Sequence, residues 1–239
     1  MSEALFEYRI RRSARSRRLR LRITLEHGLE VLVPPGFKAM TQIPRLLEQK
    51  RRWISAALAR AEANRTFFDP SLPWRLPETI ALPALARHWS VHATPRATTQ
   101  VRWRARGQDG LAVSGPLDDE AACRAALGRW LTRQAQAQLV PRLQQLSQRT
   151  GLRYRRAAVR RQRTRWASCS RTGAISLNVR LLFLPPALAD YVLLHELCHT
   201  VEMNHSPRFW ALLARHCPDY RELDRALREM WERVPRWAR

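Results

Sequence analysis

Tyr191-Val192-Leu193-Leu194-His195-Glu196-Leu197-Cys198-His199, followed closely by Met203-Asn204-His205-Ser206-Pro207, is the stretch from which the rest of the chain is read. On a helix, His195 and His199 fall one turn apart on the same face. Two imidazoles placed that way grip one zinc ion. Glu196 beside them is positioned to take a proton from a metal-bound water. The flanking Tyr191, Val192, Leu193, Leu194, Leu197, Cys198 and Val201 predict a mostly buried helix. Histidines and glutamates inside such a helix need partners to offset desolvation, and a metal supplies them. Two competing readings are a chance pairing of surface histidines and a purely structural zinc. The first ignores the apolar surroundings, and the second leaves Glu196 without a task.

Catalytic zinc takes three protein ligands and keeps an open position for water. His205 is the leading third ligand. It follows Asn204, a residue type that tolerates a reversing left-handed turn. The spacing from His199 to His205 is that of metzincin proteases, although Glu202 stands where those have a glycine. The rivals are Glu202, one turn beyond His199, and Glu222, spaced as in proteases with a glutamate third ligand. Ser206 as N-cap and Pro207 as first helical residue predict a new helix immediately after His205.

Outward from this stretch, Pro185-Pro186 opens the histidine helix, which is expected to run to about Asn204. Leu152 to Arg171 holds eight arginines and no acid. Its alternation predicts a strand, followed by a turn at Ser170-Arg171-Thr172-Gly173 and a second strand, Ala174–Asn178. A long helix capped by Asp118 or Asp119 is expected to run to about Arg149, with Pro141 kinking it and Gly151 ending it. Four short strand-like runs between 78 and 114 read as a meander continuing an N-terminal sheet. Residues 69 to 77, with three prolines, read as a linker. Thr41 to Asn64 has helical spacing, with the Lys50 stem extending its apolar stripe. Before it, Leu19, Leu21 and Ile23 alternate with arginines, and Leu29, Val31 and Val33 resume the period after a turn at Glu26-His27-Gly28. The expected class is α+β: an N-terminal antiparallel β-rich region with one helix (1–115), then a minimal zincin-like domain with an active-site helix (116–239).

Composition bounds the partners. The 239 residues carry a formal charge of +23, with 43 basic residues against 20 acidic ones, and all but Lys38 and Lys50 of the bases are arginines. Such a surface attracts anions, so nucleic acid on the arginine-rich strands 9–22 and 153–171 is an expected partner class. A solvated strand face is the simpler reading of the same runs. Cys123, Cys169, Cys198 and Cys217 show no C-x-x-C spacing and fit reduced thiols in a cytoplasmic protein. No stretch approaches the roughly 18 apolar residues of a membrane span.

The pieces Thr164-Arg165-Trp166-Ala167-Ser168-Cys169-Ser170, Ile175-Ser176-Leu177-Asn178, Asp190-Tyr191-Val192 with His195 to His199, and Asn204 to Trp210 together resemble YgjP-like metallopeptidases, a zincin group similar to the SprT-like and Wss-type proteases. The resemblance also reaches Arg9 to Arg22 and Trp53-Ile54, and so covers nearly the whole chain. It implies a Zn2+ ion held by the residues matching His195, His199 and His205, with Glu196 as base. One departure is Ala167, where the family has glycine in Arg-Trp-Gly-Ser-Cys. Alanine there is expected to restrict a positive φ or a close backbone approach and to alter a strand edge slightly. Trp166 and Cys169 are expected to pack as structure, with Arg165 or a strand backbone group near the substrate.

These observations predict a zinc-dependent hydrolase acting on a peptide or protein substrate. Two alternatives use the same residues: hydrolysis of a nucleotide or other phosphoanhydride, and a nucleic-acid-binding module with a structural zinc.

Overall fold

The computed structural model describes residues 6–14, 16–24, 28–37, 40–67 and 74–239. The chain is α+β and divides into two compact units, Met1–Pro73 and Trp74–Arg239.

The first unit contains β1 (Tyr8–Arg12), β2 (Arg20–Thr24), β3 (Gly28–Val33), α1 (Gln42–Gln49) and α2 (Arg51–Phe67). The sheet order is β1-β3-β2. β2 pairs with β3 antiparallel, whereas β1 pairs with it in parallel, so this part of the β-rich region is mixed. The arrangement follows composition. β3 buries Leu29, Val31 and Val33 and takes the centre. The two arginine-bearing strands take the edges, where guanidinium groups reach water. The single helix expected over 41–64 is two helices, broken at Lys50, whose side chain is exposed. Ile43, Leu47 and Ile54 complete this unit's small core. The turn residues Glu26 and His27 and the linker at 69–73 lie outside the described residues.

In the second unit, β4 (Thr79–Leu82), β5 (Arg87–Pro95), β6 (Arg102–Arg106) and β7 (Gly110–Gly115) form a sheet of their own, ordered β4-β5-β7-β6. They do not continue the N-terminal sheet. Trp89, Leu111 and Val113 share one core with Cys123, Ala126 and Leu127 of α3 (Glu120–Thr150). Trp89 meets Trp130 edge to face at 5.5 Å. That shared core is why the compact units divide at Pro73/Trp74, whereas the sequence pattern places a boundary at 115. Asp119 caps α3 by accepting from the Ala122 N–H at 2.9 Å, and Gly151 ends it at φ 74°. The helix runs without interruption through Pro141.

The arginine-rich stretch expected as one strand is two: β8 (Arg156–Arg160) and β9 (Ala167–Cys169), which flank β10 (Ala174–Asn178) on opposite sides. The intervening residues 161–166 turn the chain over. Asn178 Nδ2 donates to the Gln162 and Arg165 carbonyls, both at 2.8 Å. Arg180 Nη1 donates to Gln162 O at 2.7 Å. These bonds satisfy the loop carbonyls that a continuous ladder would otherwise have used.

Three helices complete the unit: α4 (Pro186–Cys198), α5 (Pro207–His216) and α6 (Tyr220–Leu227). α4 ends at Cys198, six residues short of the expected Asn204. Arg142 of α3 grips Asp190 of α4 through both carboxylate oxygens, with Nη2 to Oδ2 at 2.8 Å. Among the described residues, no helix is long and apolar enough to cross a membrane.

Candidate metal centre

α4 is apolar on nearly every side. Leu188, Tyr191, Val192, Leu193, Leu194, Leu197 and Cys198 are all buried, and this burial carries His195, Glu196 and His199 inward. His199 caps the helix, and its own N–H still reaches the His195 carbonyl at 3.2 Å. The chain then turns through 200–206 and re-enters helix at Pro207, with Ser206 Oγ accepting from the Phe209 N–H at 3.3 Å. This short return brings His205 back over α4.

Three imidazole nitrogens converge as a result. His195 Nε2 lies 2.9 Å from His205 Nε2 and 3.2 Å from His199 Nε2. His199 Nδ1 sits 3.0 Å from the Glu202 carbonyl. A carbonyl only accepts, so Nδ1 carries the proton and Nε2 carries the lone pair. Burial drives His195 down to about 3 and also lowers His199, so both are neutral, which is the ligating form. Lone pairs packed together this way repel unless a cation or a proton sits among them. Four nitrogens about 2.05 Å from a tetrahedral zinc stand about 3.3 Å apart, close to the observed separations. The donor set therefore fits a metal ion, and these three histidines form a group able to hold one. Neither rival ligand belongs to it. Glu202 contributes its backbone carbonyl to His199, and Glu222 lies on α6.

Aromatic rings fix the histidines. Phe209 stacks on His199 at 4.5 Å, and Trp210 stacks on His205 at 5.4 Å. Tyr220 backs Trp210 at 5.4 Å, which gives it a packing role. The sequence pattern shows Phe209 and Trp210 only as the apolar side of a helix. Their place four and five residues after His205 was the available signal.

Glu196 is 7% exposed. Burial pushes its carboxyl up to about 7, against the opposing pull of the Arg165 charge and a hydrogen bond donated by the Cys169 backbone N–H. Its Oε2 is buried without a partner, and so is His195 Nδ1. Unpaired buried polar atoms are costly, and they concentrate where a site awaits a ligand. The Cys169 N–H comes from β9, the edge strand beside α4. Trp166 packs against Trp231 at 4.2 Å. Ala167 does not sit at a positive φ: among the described non-glycine residues only Ala86 does.

A family model described as YgjP-like, metallopeptidase domain, matches residues 17–230. No curated protein and no solved structure matches the chain. The family match runs through both compact units and includes the whole histidine cluster, so the chain belongs to the YgjP-like metallopeptidase-domain family.

Proposed function

We propose that the chain is a zinc-dependent peptidase in which His195, His199 and His205 hold the metal and Glu196 is the general base. The observation that carries this reading is the convergence of three Nε2 atoms next to a buried, half-unpaired carboxylate. When bound, zinc supplies a Lewis acid that polarises the scissile carbonyl and lowers the pKa of water. The remaining work belongs to this chain. The Cys169 N–H holds the Glu196 carboxylate in place, which leaves Oε2 to accept a proton from the attacking water. A carboxyl raised toward neutrality also returns that proton readily, here to the leaving amine. The Arg165 charge keeps a share of Glu196 ionised. Phe209 and Trp210 stack on His199 and His205 and hold the orientation of those rings. Glu196→Gln tests the assignment. Hydrolysis of an unfolded protein substrate falls by about 10²–10⁴-fold, while zinc stoichiometry stays at the wild-type value. Full turnover in that variant contradicts the mechanism.

A further inference from the structure

The outer face of the four-stranded sheet, on the side away from α3, has a regular layout that the metal centre does not use. Pairing in register places Thr94, Ser114 and Arg102 in one row across β5, β7 and β6. The next rows are His92, Ala112, Arg104 and then Ser90, Gly110, Arg106. The middle strand offers only small, half-buried residues, whereas both flanking rows are exposed. The result is a shallow trough. Its banks are two strand spacings apart, about 10 Å. Along one bank the arginines recur every second residue, about 6.8 Å, close to the spacing of successive phosphates in an extended single strand. The four strands carry four arginines and no carboxylate.

Arg104, on the edge strand β6, also lines a cavity of about 530 Å³ on the α3 side of the sheet, with Arg87, Trp89, Trp103 and Arg133. Arg133 lies over the Trp103 ring at 5.8 Å, and Arg87 over Trp89 at 4.7 Å. Asp109 neutralises Arg87 through Oδ1, at 2.6 Å from Nη2, but no carboxylate lines the cavity itself. Planar cations stacked on indoles offer flat faces on which a base can stack.

We propose that single-stranded nucleic acid runs along this face, with phosphates on Arg102, Arg104 and Arg106, and turns over the β6 edge to place a base in the Arg133–Trp103 cavity on the α3 side. An acidic peptide would use the arginine row but has no need of the stacked cavity. A duplex keeps its bases paired and stacked inside, and so has none to offer the cavity.

The test uses the full chain and anisotropy of fluorescein-labelled oligodeoxythymidine at several salt concentrations. Replacing Arg102, Arg104 and Arg106 together by Ser removes three exposed charges and is expected to weaken binding about tenfold or more. It also lowers the salt slope by about 2, the value for three lost phosphate contacts on a single strand. The control is Arg18→Ser with Arg20→Ser and Arg22→Ser in the first unit, which removes the same charge and is expected to leave most of the affinity. Arg104→Ser alone is expected to weaken binding in the same direction, which keeps the test open should the triple variant melt early. Arg133→Ala is expected to weaken the oligonucleotide but not polyglutamate. Equal losses in the two triple variants overturn the proposal. So does tighter binding of polyglutamate, duplex DNA or anionic vesicles than of the single strand, or no binding by wild type.

Discussion

α4 and α5 build one site under opposite conditions. α4 is enclosed: His199 and Glu196 are buried, and His195 is half-buried among apolar neighbours. α5 lies at the surface. It buries Phe209 and Leu213 on one side, and the residue that precedes its cap, His205, is exposed. The enclosed pair is held neutral by its surroundings before any metal arrives. The exposed histidine is placed by a turn, a cap and a stacked indole. Preorganisation thus comes from desolvation on one side and from local chain geometry on the other.

The largest expected effect breaks this division of labour at the metal. His195→Ala or His199→Ala removes a nitrogen that the core has already oriented, and zinc is expected to be lost completely on desalting. His205→Ala leaves the two enclosed nitrogens, and zinc is expected to remain at reduced affinity. Metal analysis before and after chelator challenge measures both. Equal retention in all three variants would dissolve the distinction between the helices.

The next effect lies on the seam between them. Phe209 is fully buried and stacks on His199. Phe209→Ala is expected to cost about 3–5 kcal/mol in denaturant unfolding. A cost below about 1 kcal/mol would mean that α5 is not anchored there.

Burial of Glu196 gives a pH signature in the metal-free protein. Its carboxyl rises from an ordinary 4.5 to about 7 in the folded chain, chiefly through desolvation. The folded state therefore binds the proton more tightly. The associated stability is complete below 4.5 and is lost as pH rises through about 7. Relative to wild type, metal-free Glu196→Gln is expected to gain stability across that window, by about 3 kcal/mol at most. Thermal melts at pH 4 and pH 8 read the difference, and a constant offset would refute the desolvation argument. His195 has the opposite sign: its contribution is complete above 6.5 and fades as pH falls toward about 3.

The smallest effect belongs to the exposed side. Ser206→Ala removes the cap of α5 and is expected to cost about 1 kcal/mol. It is also expected to loosen zinc, because the cap sets where His205 stands. Lost stability with unchanged zinc affinity would separate the cap from the ligand.

The contrast between the helices also explains what the sequence made legible. Local signals carried well: the i, i+4 pair in α4, Ser206-Pro207 opening α5, Asp119 and Gly151 bounding α3, and β10 at Ala174–Asn178. Each depends on residues within a few positions of one another. What failed depends on distant partners. The parallel pairing of β1 with β3 and of β5 with β7 leaves no mark in an alternating pattern. The run at 152–171 alternates as one strand would, yet Asn178 at the end of β10 and Arg180 just after it take up its middle carbonyls, and the run divides into β8 and β9. The break at Lys50 had no glycine or proline to announce it. In the site itself, the gathering of His195, His199 and His205 and the burial of Glu196 beside them were readable from spacing and apolar flanks. The Cys169 N–H that steadies Glu196 was not, because a backbone donor has no residue identity to read.

X-ray absorption at the zinc edge of the zinc-loaded wild-type protein reads the ligand set itself. Three imidazole nitrogens are expected at about 2.0–2.1 Å, with light-atom scattering completing the shell and no sulfur. A sulfur shell near 2.3 Å, or fewer than three imidazoles, would contradict the three-histidine site.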